Sequence, residues 1–183
     1  MKFTPTILAG CYIVDLKLVE DARGWFTRTY CKDGFAGIGF TKEWVQHNHT
    51  YTKRKGAVRG MHYQQLPFAE TKLVRCIAGA VYDVVVDLRV SSPTYLQHIS
   101  IELSAFNKKM LFIPEGFAHG FQTITDDCEL LYCHSEFYNP SSEKGLLHND
   151  PELNIMWPLN VTQISERDAA HLLIKNDFAG LNI

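Results

Sequence analysis

The chain has no CxxC pair, no run of about 18 apolar residues and no excess of positive charge. Each absence closes off a class. Its five cysteines (Cys11, Cys31, Cys76, Cys128 and Cys133) are odd in number. They suggest neither a disulfide framework nor a thiolate zinc site, and a reducing cytoplasm is the expected setting. Without a long apolar run nothing is expected to span a membrane. Lys and Arg total 18 against 20 Asp and Glu, a formal charge of −2, so no global basic footprint points to nucleic acid. Leu8-Ala9-Gly10-Cys11 imitates a lipoprotein cleavage box but lacks the apolar stretch before it, and reads instead as a strand. Linkers, repeats and low-complexity tracts are missing too, so residues 1–183 read as one domain.

Helix-length periodicity is also scarce. Lys32–Ile38 offers a turn or two, weakened by Gly34 and Gly37. Ser165–Leu173 is better, with Ser165 as N-cap and Asp168 three residues on, an acidic variant of the capping box. What the sequence has instead is period two. Val81–Leu88, Lys72–Ile77, Gln97–Leu103, Met110–Ile113, Phe121–Ile124 and Glu129–His134 are short, rich in β-branched or aromatic residues, and divided by Gly, Pro, Asn and Asp. No segment between them is a helix long enough for a parallel crossover. The expected fold is all-β, an antiparallel sandwich or barrel with a few short helices.

Eight histidines are many for this length. His62 lies in Arg59-Gly60-Met61-His62, His119 closes Pro114-Glu115-Gly116-Phe117-Ala118-His119, and His134 ends a strand beside Tyr132. The Pro-x-Gly-x-x-His turn recurs in cupins, small jelly rolls with a pocket inside the barrel. His62 through Glu70 to Gly79 resembles a degraded first cupin motif, with Gln64 where a second metal-binding His is expected. A metal site from His62, Glu70 and His119 is therefore thin, and no metal is expected.

Proton transfer suits the same residues better, because an imidazole titrates near neutral pH. A carboxylate has to fix its tautomer, and the residues leave Asp83, Asp87 and Asp168 all open. Lys72 reads either as a surface lysine or as a cation facing the pocket to hold an oxyanion. Tyr132 reads either as core or as a proton donor. Arg23, Arg59 and Arg167 are able to clamp phosphate.

Taken together, the chain resembles the dTDP-4-dehydrorhamnose 3,5-epimerase family nearly end to end. The matching segments are Asp21-Ala22-Arg23-Gly24-Trp25-Phe26, Gln46-His47-Asn48-His49, Arg59-Gly60-Met61-His62-Tyr63-Gln64 and Lys72-Leu73-Val74-Arg75. Further on they are Asp83–Arg89, Ser92-Pro93-Thr94, Ile113–Phe121, Tyr138-Asn139-Pro140, Asn149-Asp150-Pro151, Trp157-Pro158 and Ser165-Glu166-Arg167-Asp168. Their order and spacing make the set specific. The resemblance implies a cupin-type jelly roll, a homodimer and a reaction without cofactor on a nucleotide-linked 4-keto-6-deoxyhexose, dTDP being the expected nucleotide.

It also implies roles: His62 as base, Asp168 as its support, Tyr132 as acid and Lys72 as holder of the enolate. Substrate contacts fall on Arg23, Phe26, Gln46, Asn48, Arg59, His119, Glu143 and Arg167, and Tyr138 stacks on the nucleotide base. The segment from Arg23 to Arg28 reaches toward the partner's pocket. Arg28 stands where the family commonly has a glutamate. Competing readings are a 3-epimerase or 3,4-ketoisomerase for another nucleotide sugar, a metal-dependent oxygenase, and a silent sugar-binding cupin.

Overall fold

A computed structural model describes residues 1–175 and 178–183. In chain order the elements are β1 (Lys2–Pro5), β2 (Tyr12–Asp15), β3 (Val19–Asp21), β4 (Gly24–Phe26), α1 (Lys32–Ala36), β5 (Gln46–Thr52), β6 (Val58–Gln64) and β7 (Lys72–Ala78). They continue with β8 (Ala80–Asp87), β9 (His98–Ser104), β10 (Met110–Ile113), β11 (Phe117–Thr123), β12 (Cys128–His134), β13 (Glu143–Gly145) and α2 (Glu166–Ala169). Six strands form one sheet in the order β1-β2-β10-β7-β12-β5, and five form a second in the order β13-β6-β11-β8-β9. β3 and β4 make a separate hairpin. Every pairing between these strands is antiparallel, as the period-two pattern and missing crossovers predict.

Alternation along each strand divides the core. Val81 and Val85 of β8 join Val74, Cys76, Leu111, Ile113, Phe117, Phe121 and Leu130 in one buried cluster drawn from both sheets. Val84 and Val86 point the other way, against Leu146, Leu153, Ile155 and Leu181. On the six-stranded sheet Leu73, Met110 and Phe112 face away from the first cluster and pack under Phe35 and Phe40. β8 is buried on both faces, which is why its sequence is nearly all apolar.

Three local expectations need correcting. Leu8–Cys11 is the turn between β1 and β2 rather than a strand; Cys11 N–H donates to the Leu8 carbonyl at 3.0 Å, and Gly10 takes a positive φ of 85°. β11 begins four residues before Phe121, because its whole length from Phe117 pairs with β8, so His119 sits inside a strand. α2 ends at Ala169 instead of Leu173. Beyond it, the Ile174 N–H donates to the Asp150 carboxylate and the Ile174 side chain packs on the second cluster, which holds the chain out of helical register.

Candidate active site

At one end of the sandwich the inward positions turn polar. Lys72 shares the inner face of β7 with Val74 and Cys76, and it is 6% exposed. Tyr132 and His134 continue the inner column of Cys128 and Leu130 on β12. Opposite them, on the five-stranded sheet, stand His119 of β11 and His62 of β6, paired across the ladder. A cavity of about 740 Å³ opens between these walls.

Arg59 and His62 are three residues apart, so a regular strand would send them to opposite faces. The register prevents this: His62 pairs with His119 but Arg59 pairs with Phe121, leaving one extra residue on β6. This bulge turns both side chains into the cavity. Gly60 makes it possible, with φ at +117°; a Cβ there would lie 2.5 Å from Gly120 Cα and 2.8 Å from the His119 carbonyl oxygen.

The three carboxylates left open by the sequence have separate partners. Asp87 takes the Arg89 guanidinium at 2.9 and 2.8 Å and the hydroxyls of Ser92 and Thr94 at 2.6 and 2.7 Å. Burial would raise its carboxyl, but these donors outweigh that and hold it at about 2. Asp83 receives His119 Nε2 at 2.9 Å on both oxygens, and complete burial pushes its carboxyl above the usual range.

Asp168 receives His62. Nε2 of His62 lies 2.8 Å from Oδ1, while Oδ2 accepts the Gly60 backbone N–H at 3.1 Å. Ser165 caps α2 by accepting the Asp168 N–H at 3.0 Å, so the first turn aims this carboxylate at β6. Burial opposes its charge, yet His62 and the Gly60 N–H prevail and hold the acid well below the usual carboxylate range. An ionised Asp168 fixes the proton of neutral His62 on Nε2 and leaves Nδ1 with the free lone pair.

A second polar cluster was not foreseen in this form. Lys72 Nζ lies 3.2 Å from Glu70 Oε1 and donates to the His62 carbonyl at 3.3 Å. The other Glu70 oxygen is 2.7 Å from His134 Nδ1, and His134 Nε2 faces Asn48 Nδ2 at 3.3 Å. His134 thus bridges the Glu70 carboxylate and the Asn48 amide. Burial would raise Glu70; Lys72 and His134 reverse the direction and hold it at about 2. The sequence signal for this cluster was the inward parity of positions 72 and 134, which becomes useful only once strand faces are known.

Glu70, His62 and His119 thus serve three different partners and do not converge on one point; among the described residues their donor atoms form no ligand cluster. Gln64, at the position expected to hold a second His ligand, ties loops instead. Its amide donates to the Phe68 and Phe137 carbonyls at 2.9 and 3.2 Å and accepts the Asn139 N–H at 2.7 Å.

Tyr132 lines the cavity from the six-stranded sheet, and burial pushes its phenol above the ordinary value. Its ring meets His119 edge-on at 6.1 Å and stacks on His134 at 6.2 Å between centroids. At the rim, Arg167 Nη1 reaches the Glu143 carboxylate at 3.0 and 3.1 Å, and the Tyr138 hydroxyl donates to it at 2.8 Å. Gln46 Nε2 donates to Asn48 Oδ1 at 3.2 Å, and Gln46 Oε1 accepts the Tyr138 N–H at 3.0 Å. Arg59 is steadied by the Thr52 hydroxyl at 2.9 Å and the Tyr51 carbonyl at 3.1 Å. Arg23 and Phe26 lie apart from this cavity, on the β3–β4 hairpin. Arg23 pairs with Asp21 at 2.6 Å, and Phe26 is 70% exposed.

Two antiparallel sheets around an internal cavity, with acid–base side chains on both walls, define a cupin-type jelly roll. The family model described as dTDP-4-dehydrorhamnose 3,5-epimerase matches residues 5–176. An enzyme of that name from Salmonella typhimurium is 43% identical over 171 residues, covering 92% of this chain and 93% of its own. Two solved structures each match with a TM-score of 0.91. One, from Bacillus anthracis with TDP and PPi bound, is 39% identical over 94% of this chain and 99% of its own. The other, from Legionella pneumophila in complex with dTDP-4-keto-L-rhamnose, is 36% identical over 99% and 97%. The chain belongs to the dTDP-4-dehydrorhamnose 3,5-epimerase family, a family of isomerases. Among the described residues no helix is long and apolar enough to cross a membrane.

Proposed function

We propose that this chain inverts C3 and C5 of dTDP-4-dehydro-6-deoxy-D-glucose, giving dTDP-4-dehydro-L-rhamnose. The observation that carries the reading is the opposition of two proton carriers. The His62–Asp168 pair stands on the five-stranded side of the cavity and the Tyr132 phenol on the six-stranded side.

Both carbons adjoin the C4 carbonyl, so losing either hydrogen gives an enolate with its charge on O4. His62 takes the proton through Nδ1, and Asp168 stabilises the imidazolium that results. Lys72 holds the O4 charge. Tyr132 returns a proton to the opposite face, and the centre inverts. The carbonyl is the electron sink, so the chemistry requires neither metal nor redox cofactor. Arg59, Arg167, His119, Gln46, Asn48 and Glu143 bind the nucleotide sugar, and Tyr138 stacks on its base. Binding of the diphosphate remote from the sugar fixes the ring for reaction.

The protein acts as a single domain in the cytoplasm and as a homodimer. The β3–β4 hairpin supports the dimer, because Val19, Trp25 and Phe26 are exposed there beside Arg23. From this hairpin Arg23 and Phe26 reach the partner's cavity.

NMR in D₂O with dTDP-4-keto-6-deoxyglucose tests the reaction. Deuterium is expected at C5 and C3 together with inverted product. Exchange at C3 alone would restrict the enzyme to 3-epimerisation, and no exchange at either carbon would overturn the assignment.

A further inference from the structure

A second imidazole beside the base has no part in the mechanism above. His171 follows α2 and lies with its Nε2 3.8 Å from Asp168 Oδ1, its ring edge-on to His62 at 5.9 Å between centroids. That nitrogen is buried and has no hydrogen-bond partner. Buried polar atoms are nearly always satisfied, and an orphan calls for an explanation, such as an ion that is absent. Room for the ring depends on Gly145, the residue of β13 paired with His62; a Cβ there would fall 2.1 Å from His171 Nε2.

His62 Nε2, Asp168 and His171 Nε2 offer three ligand atoms all within 4.8 Å of one another. Ligands about 2.1 Å from a tetrahedral zinc ion stand about 3.4 Å apart. The His62–Asp168 separation of 2.8 Å therefore has to open slightly, and the His171–Asp168 separation of 3.8 Å has to close slightly. Two imidazoles and one carboxylate suit a borderline transition-metal ion better than magnesium or calcium. One group opposes a cation: the Arg167 guanidinium, 3.3 Å from His62 Nε2 and 3.4 Å from Asp168 Oδ1. Its side chain is 56% exposed and already anchored outward to Glu143 at 3.0 Å, so it is able to withdraw.

We infer that His62, Asp168 and His171 form an inhibitory site for a divalent transition-metal ion such as Zn²⁺. The ion takes the lone pair of His62 Nε2 once the ring proton has moved to Nδ1, so the hydrogen bond to Asp168 is lost and Nδ1 no longer has a lone pair with which to act as base. The oxygenase arrangement considered from sequence used His62 with Glu70 and His119; this site shares only His62 with it. Metal binding stands independently of the epimerase reading, whereas inhibition rests on it.

Two measurements test the inference. Titration of the full chain with Co²⁺ should give intense visible d–d bands of a four-coordinate N/O site, and His171→Asn should weaken that binding at least tenfold. Epimerisation in chelator-free buffer should be inhibited by Zn²⁺, with at least tenfold more Zn²⁺ needed for His171→Asn, whose activity without metal and thermal midpoint stay at the wild-type level. Cys31→Ser serves as the control for metal capture by the exposed-side thiol and should respond as wild type does. Wild-type Co²⁺ spectra of a weak six-coordinate ion would overturn the site. So would unchanged Co²⁺ affinity or Zn²⁺ sensitivity in His171→Asn. If no epimerase activity exists at all, the Co²⁺ titration still decides the site, and only the epimerase reading falls.

Discussion

The backbone N–H of Gly60 donates to Asp168 Oδ2 at 3.1 Å, across 108 residues of chain. One carboxylate thus holds both the bulge that turns β6 and the imidazole that the bulge presents, since its other oxygen takes His62 at 2.8 Å. Imidazole, carboxylate and strand irregularity form a single unit.

Asp168→Asn keeps the shape of that unit and removes its charge. The amide can satisfy Gly60, but it no longer stabilises an imidazolium or enforces the Nε2–H tautomer. Turnover should fall by at least about 100-fold, with substrate affinity changed only a few-fold. Parallel measurement of kcat and of nucleotide-sugar binding checks this; a kcat within threefold of wild type would remove Asp168 from the mechanism.

Tyr132→Phe retains the ring between His119 and His134 and deletes the proposed acid. The variant should still exchange substrate hydrogens with solvent through His62 while losing net inversion at C5. The lost hydroxyl should cost only about 1 kcal/mol of stability. The thermal midpoint and the C5 configuration of the product decide together, and normal C5 inversion would show that another group is the acid.

Glu70→Gln leaves the buried Lys72 ammonium without its counter-charge. A loss of about 3 kcal/mol in stability is expected, as for other half-broken buried pairs, together with a fall in kcat as Lys72 loses its fixed position. The pH dependence has a definite sign. Because Glu70 is held at about 2 rather than 4.5, its contribution is complete above pH 4.5 and is lost as pH falls toward 2. Urea midpoints at pH 7 and pH 3.5 should therefore differ more for wild type than for Glu70→Gln. Equal differences would place no stabilising role on this carboxylate.

Gly60→Ala tests the bulge. Its φ of +117° and the 2.5 Å approach to Gly120 Cα leave no room for a methyl group. Stability should drop by about 1–3 kcal/mol or more, and activity should drop with it as Arg59 and His62 shift. Gly24→Ala is the comparison: its φ is +129° but nothing lies within 4 Å, so it reports backbone strain without crowding. Equal effects of the two substitutions on thermal midpoint would mean that the contact with Gly120 is immaterial.

The strands were legible because their cause is local. Alternation in Lys72–Ile77 and Glu129–His134 follows from the two-residue repeat of an extended chain, and Ser165 with Asp168 marked a helix start through one turn of hydrogen bonding. By itself, then, the sequence determined an antiparallel β protein, and the order of its short motifs pointed to the family that the comparisons bear out. It did not determine which face of β7 was inward, so Lys72 could be read as surface or site until β10 and β12 flanked it. Nor could it choose among Asp83, Asp87 and Asp168: Asp87 is taken by its near neighbours Arg89, Ser92 and Thr94, Asp83 meets His119 only through the pairing of β8 with β11, and Asp168 meets His62 only where α2 packs on β6. The extra residue at Gly60 was likewise invisible, since a bulge is defined by two strands and not by one. Pairing of side chains distant in sequence depends on register and sheet stacking, which arise only when the whole chain packs, and that is where this site is made.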